Sequence, residues 1–181
     1  MESTPLISIV LSAYGDESAL NDSVRSVLTQ TFSEWELLLV CCGCRISKIG
    51  GMDVAAERRV RVVTVEEDAG CGAAWNAGLR HAVGKIVAYL LEGDTFYPDH
   101  LEHVAQCADR ADVLLFSHDV PATPGPPPVP AHRRDPASLR ANLFAMPIAE
   151  PLAVVHRRAW AENAAGFNEL LWREEHWEFW K

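Results

Sequence analysis

Five short apolar runs alternate with stretches of helical periodicity through the first 117 residues, and that alternation leaves few architectures open. The runs are Leu6–Ser12, Glu36–Cys42, Val60–Val65, Lys85–Leu91 and Asp112–Ser117. Each is too short for a helix, and the first, Leu6–Ser12, is apolar on both faces, as suits a buried parallel strand. Between the first two, Leu20, Val24, Val27 and Leu28 fall at i, i+4, i+7 and i+8, the stripe of an amphipathic helix. Asp16 or Ser18 stands where its N-cap belongs. Gly43 closes the second run. The alanine-rich segment from Gly72 to Val83 reads as a helix stopped by Gly84. Pro98 suits the first position of another helix that runs to about Asp109, with Asp99 in the first turn where the helix dipole favours an anion. Strand and helix in alternation predict an α/β domain, a mostly parallel sheet flanked by helices on both faces. Ligands of such sheets bind outside the carboxyl ends of the strands, so the segments after strands one, two and four are the candidate site.

After residue 117 the character changes. Seven of the eleven prolines lie between Pro121 and Pro136, which predicts an extended loop or lid. An apolar strand (Leu152–Val155) and a short helix (Arg157–Asn163) follow. Trp160, Trp172, Trp177 and Trp180 crowd the last 22 residues. Exposed aromatics at that density mark an interface, so the chain is expected to pair as a homodimer or to continue into a C-terminal segment beyond Lys181. A length of 181 residues fits one domain. The net charge of −9 argues against nucleic acid and anionic membrane surfaces as partners. No run approaches the roughly 18 apolar residues of a transmembrane helix. Five cysteines, an odd number, without an apolar leader fit a reducing compartment, and a cytoplasmic location is the expectation. Cys41, Cys42 and Cys44 invite a zinc site, but Cys42 and Cys44 are one residue apart and neighbouring strand residues face opposite ways. They read as small buried side chains.

Six segments, taken in order, carry a resemblance: Pro5 to Tyr14 (PLISIVLSAY), Ser26 to Leu37 (SVLTQTFSEWEL), Gly70 to Leu79 (GCGAAWNAGL), Glu92 to Leu101 (EGDTFYPDHL), Gly166 to Glu169 (GFNE) and Glu175 to Trp180 (EHWEFW). Together they resemble the family 2 glycosyltransferases, which have the GT-A fold. The resemblance implies a donor-binding half over residues 1–117 and an acceptor-side half over 118–181. It also implies a nucleoside diphosphate sugar as donor, with a UDP-sugar first, Mg²⁺ or Mn²⁺ as cofactor, and transfer to an acceptor hydroxyl with inversion.

Carried over residue by residue, the resemblance places Tyr14 against the base, with Ser12 beside it. It puts Cys41 where the family has a base-binding acid, Trp75 where it has a phosphate-contacting arginine, and Asn76 next to it. A thiol is a poor acceptor for a base N–H. The acids near the metal are Glu92 and Asp94, flanking Gly93 at the usual ligand position. The catalytic base position is His176, with Glu175 in reserve, and a histidine has a suitable ordinary pKa for the task. These replacements leave two readings open: a working transferase, or a catalytically degenerate domain that binds or regulates. A nucleotidyltransferase, a third reading, is disfavoured by the late GFNE and EHWEFW segments.

Overall fold

Strand β1 (Ile7–Ala13) buries all seven of its side chains, so it must lie at the centre of a sheet with layers on both faces. The computed structural model describes residues 4–46, 48–66, 70–116, 151–163 and 166–169. The proline-rich segment 121–136, the tryptophan-rich tail, Glu175 and His176 lie outside them. The remaining elements are α1 (Glu17–Leu28), β2 (Trp35–Cys42), a short hairpin of β3 (Lys48–Ile49) and β4 (Met52–Asp53), β5 (Val60–Val65), α2 (Gly70–His81), β6 (Ile86–Leu91), α3 (His100–Cys107), β7 (Val113–Leu115), β8 (Val154–Arg157) and α4 (Arg158–Asn163).

The main sheet runs β5-β2-β1-β6-β8-β7. Strands β5, β2, β1 and β6 are parallel, while β8 runs antiparallel to β6 and to β7. The alternation of side chains along β1 and β2 separates two cores. One face carries Ile7, Ile9, Leu11, Leu37 and Leu39 against Leu20, Val24 and Val27 of α1 and Leu101 and Val104 of α3. The other carries Val10, Leu38 and Val40 against Ala74, Trp75 and Ala77 of α2, with Phe167 added. Asp16 caps α1, its Oδ1 accepting from the N–H groups of Ser18 and Ala19. On α2, Gly78 lies so close to the sheet that a Cβ there would overlap the Val10 side chain, so the residue must be glycine for the helix to pack at this depth.

The run after α3 joins the central sheet as β7, as its residues lead one to expect, and takes the edge position, with β8 between it and β6. The internal position requires apolar cover on both faces. In β8, Val154, Val155 and His156 are buried, whereas Leu115 of β7 is 48% exposed. His156 tolerates that position because both ring nitrogens have partners. Its Nδ1 lies 2.9 Å from the Arg157 carbonyl and its Nε2 lies 2.8 Å from the Tyr89 hydroxyl. Burial pushes the His156 pKa down to about 4, so the ring is neutral near pH 7.

At the amino ends of the strands a buried carboxylate ties three elements together. Glu36 accepts from the Ser8 hydroxyl, from the Val83 N–H at 2.8 Å and from Arg61 at 2.7 Å. The Gly84 N–H donates to Ser8 Oγ at 2.9 Å. This network fixes the turn between α2 and β6, and therefore the height at which β6 ends on the opposite side.

Candidate functional site

In the order β5-β2-β1-β6 the chain builds outward from β1 in one direction, then returns to place β6 on its other side. The carboxyl ends of β1 and β6 therefore flank a topological switch point, where α/β sheets open a crevice. Tyr14 and Gly15 leave β1 there, and Glu92 leaves β6 beside them. The Glu92 N–H donates to the Ser12 carbonyl at 3.2 Å. The Glu92 side chain reaches back across the gap. Its Oε2 accepts from the Tyr14 N–H at 2.6 Å, and its Oε1 accepts from the Gly15 N–H at 3.2 Å.

Tyr14 is 46% exposed, and its hydroxyl lies 2.7 Å from the Cys71 thiol at the start of α2. Its phenol pKa is held well above the ordinary value, by burial first and then by Cys71, so the hydroxyl stays protonated. Ser12 is fully buried alongside it. The two cysteines that end β2 face opposite layers. Cys41 points into the α1 layer, where burial and then Cys44 push its thiol up to about 12. Cys42 points into the α2 layer with Tyr14 and Cys71, and burial pushes it up to about 11. The thiol that shares the Tyr14 pocket is thus Cys42, one residue on from the position the resemblance marks. Both are neutral near pH 7 and offer weak hydrogen bonds in place of a carboxylate.

The two α2 positions do not meet at the crevice. Trp75 is 1% exposed, and its ring centroid lies 5.0 Å from that of Phe167 and 5.8 Å from that of Tyr89. An aromatic residue in this place fills the core between helix and sheet. Asn76, the next residue of α2, holds the segment 166–169. Its Oδ1 accepts from the Phe167 N–H, and its Nδ2 donates to the Phe167 carbonyl and to Glu169 Oε1, each at 2.8 Å.

The acid-bearing loop after β6 is shaped by α1. Ser23 Oγ accepts from the Gly93 N–H at 2.9 Å, and Ser26 Oγ accepts from the Phe96 N–H at 3.1 Å. Gln30 donates to the Tyr97 carbonyl at 2.6 Å and accepts from the Leu101 N–H at 2.9 Å. Ser23 and Ser26 on α1 and Gln30, two residues past its end, are spaced by three and four, so one row of side chains reads the loop backbone. Reading the helix for its apolar stripe alone passes over this row; polar residues at the same period, one of them 0% exposed, are its signal. Asp94 sits half-buried within this loop, its N–H bonded to the Leu91 carbonyl at 3.0 Å. Among the described residues no three His, Cys, Asp or Glu side chains are grouped to hold a metal ion. Beyond Gly15, a cleft of about 540 Å³ opens between α1 and the β3–β4 hairpin and is lined in part by Arg45 and Lys48.

The glycosyl transferase family 2 sequence model matches residues 8–159. An uncharacterised glycosyltransferase of Rickettsia prowazekii is 28% identical over 117 residues, covering 62% of this chain and 36% of its own length. The putative teichuronic acid biosynthesis glycosyltransferase TuaG of Bacillus subtilis is 33% identical over 100 residues, covering 54% of this chain and 40% of its own. The chain therefore spans well under half the length of these relatives. Among solved structures, Staphylococcus aureus TarS (residues 1–349) in complex with UDP superposes with a TM-score of 0.74 at 20% identity, over 96% of this chain and 53% of that one. The shared fold is GT-A. Among the described residues no helix is long and apolar enough to cross a membrane.

Proposed function

Because the chain belongs to glycosyl transferase family 2, we propose that it binds a nucleoside diphosphate sugar, a UDP-sugar in the first instance, at the carboxyl edge of β1 and β6. The observation that carries this reading is the half-exposed Tyr14 ring at the switch point, held at its backbone by Glu92 and at its hydroxyl by Cys71. A ring fixed in that way is prepared to stack on a base without first losing rotamer freedom. The UDP in the TarS complex supports the choice of nucleotide. Arg45 and Lys48, in the cleft beyond Gly15, add positive charge for a diphosphate. In the transfer itself an acceptor hydroxyl loses its proton to a base and attacks the anomeric carbon with inversion as the bond from that carbon to the diphosphate oxygen breaks and the nucleoside diphosphate leaves; His176 or Glu175 is the proposed base. Tyr14 and the crevice supply binding and orientation only.

For the expected Mg²⁺ or Mn²⁺ the carboxylate set of the loop after β6 is depleted among the described residues. Both oxygens of Glu92 accept backbone N–H groups, and Gly93 brings no side chain. That leaves Asp94 and, at the far end of the loop, Asp99 as the other carboxylates for a cation that takes its remaining oxygens from phosphate and water. The same observation favours the second reading, a degenerate domain that binds a donor without turning it over. Isothermal titration with UDP, GDP, dTDP and their sugars, with and without Mn²⁺, followed by a hydrolysis assay, separates the two. Binding with turnover supports the transferase, binding alone supports the degenerate domain, and no binding in any arm rejects the donor site.

A further inference from the structure

We infer that Glu92 is a positioning residue that holds the Tyr14–Gly15 turn, and is not a ligand to a divalent cation; in its consequence for nucleotide binding this rests on the donor-site reading above. The geometry is two-sided. Oε2 is 2.6 Å from the Tyr14 nitrogen and Oε1 is 3.2 Å from the Gly15 nitrogen, so each oxygen of one carboxylate satisfies one N–H. Hydrogen bonds from amide donors to a carboxylate are the strong kind. Asp16, the next residue, turns the other way and caps α1 through Ser18 and Ala19. Gly15 has a φ of +110°, outside the region that helix or strand would impose, so the turn has no ladder of its own to hold it.

A cation that drew Glu92 away would leave these two N–H groups unpaired at the end of a buried strand, which opposes metal binding there. The neighbours do not compensate. The Gly93 N–H is already bonded to Ser23, which locks the backbone on which Glu92 rides. Tyr14 is thus fixed from both ends, with Glu92 on its backbone and Cys71 on its hydroxyl. Releasing the first end frees the ring by a route in which no cation takes part.

The test compares wild type, Glu92→Ala and Glu92→Gln by amide hydrogen exchange and by UDP titration with and without Mn²⁺. Glu92→Ala should speed exchange at Tyr14 and Gly15 by about tenfold while the rest of β1 is unchanged, and alkylation of Cys71 should quicken with it. Glu92→Gln keeps one carbonyl oxygen and the side-chain shape, so it should restore part of the protection; it also serves if the alanine variant does not fold. The UDP Kd should rise by the same factor, about tenfold, whether or not Mn²⁺ is present. Unchanged exchange at both amides would overturn the assignment. So would a loss of UDP affinity that appears only with Mn²⁺, the mark of a metal ligand. If wild type binds no UDP, the donor-site reading fails, and the exchange experiment still decides the role of Glu92.

Discussion

Lowering the pH should destabilise this fold through His156, and the size of the effect follows from its surroundings. The ring is 1% exposed and pairs with Tyr89 and the Arg157 carbonyl, an arrangement that suits the neutral form. Its pKa is about 4 in the fold against 6.5 for the ordinary value. The unfolded chain therefore takes up a proton below pH 6.5 that the folded chain refuses until about pH 4. The sign is fixed by that order: stability is unaffected above pH 6.5 and falls as the pH drops toward 4. Within that window each pH step of one costs about 1.4 kcal/mol for a single proton, so the whole window is worth roughly 3 kcal/mol, a large part of a domain's stability. His100, whose pKa burial also pushes down to about 4, adds a similar slope over the same range. Urea denaturation at pH 7, 6 and 5 measures the slope, and His156→Gln should remove the share of one proton from it. The reasoning is refuted if the His156 ring titrates near 6.5 by NMR in the folded protein, or if His156→Gln leaves the slope as it was.

Three further outcomes follow from the packing and the site. Gly166→Ala should cost about 1–3 kcal/mol in a thermal melt, because φ is +80° there and the added Cβ would meet Asn76 Oδ1. Trp75→Arg, which would restore the residue type the family resemblance leads one to expect, should cost about 3 kcal/mol or more and leave little folded protein, since the position is 1% exposed between Tyr89 and Phe167; near-wild-type stability would show that the side chain reaches solvent. Tyr14→Ala should weaken UDP binding by about 1–3 kcal/mol, roughly five- to 150-fold, with little change in melting temperature, read by calorimetry.

The parallel half of the fold was legible because its signals are local. A run such as Leu6–Ser12 carries apolar residues on both of its faces, as a strand with two covered faces does. The bounds of β5 agree with the residues expected for it, and those of β1, β2 and β6 differ by a residue, as strand ends do. The place of β7 was not legible. Its own residues resemble those of an internal strand, and what moved it to the edge is β8, a segment from beyond the proline-rich stretch whose pairing is a long-range event.

The site divides along the same line. That Tyr14, Cys41 and Glu92 stand at strand ends on one edge of the sheet follows from counting along short runs, and the sequence alone determined it. Which layer each side chain enters was decided only when α2 packed on the sheet through Gly78 and its Cys71 met Tyr14. That packing placed Cys42 in the Tyr14 pocket, set Trp75 in the core and left Asn76 to grip Phe167. The partners of Glu92 were likewise invisible, because the residues it holds are 77 and 78 positions away and are recognised by their backbone N–H groups, which every residue but proline carries. A sequence specifies side chains, and a carboxylate bound to main chain leaves no mark on the identity of its partner; only the closing of β6 against β1 brings the two together.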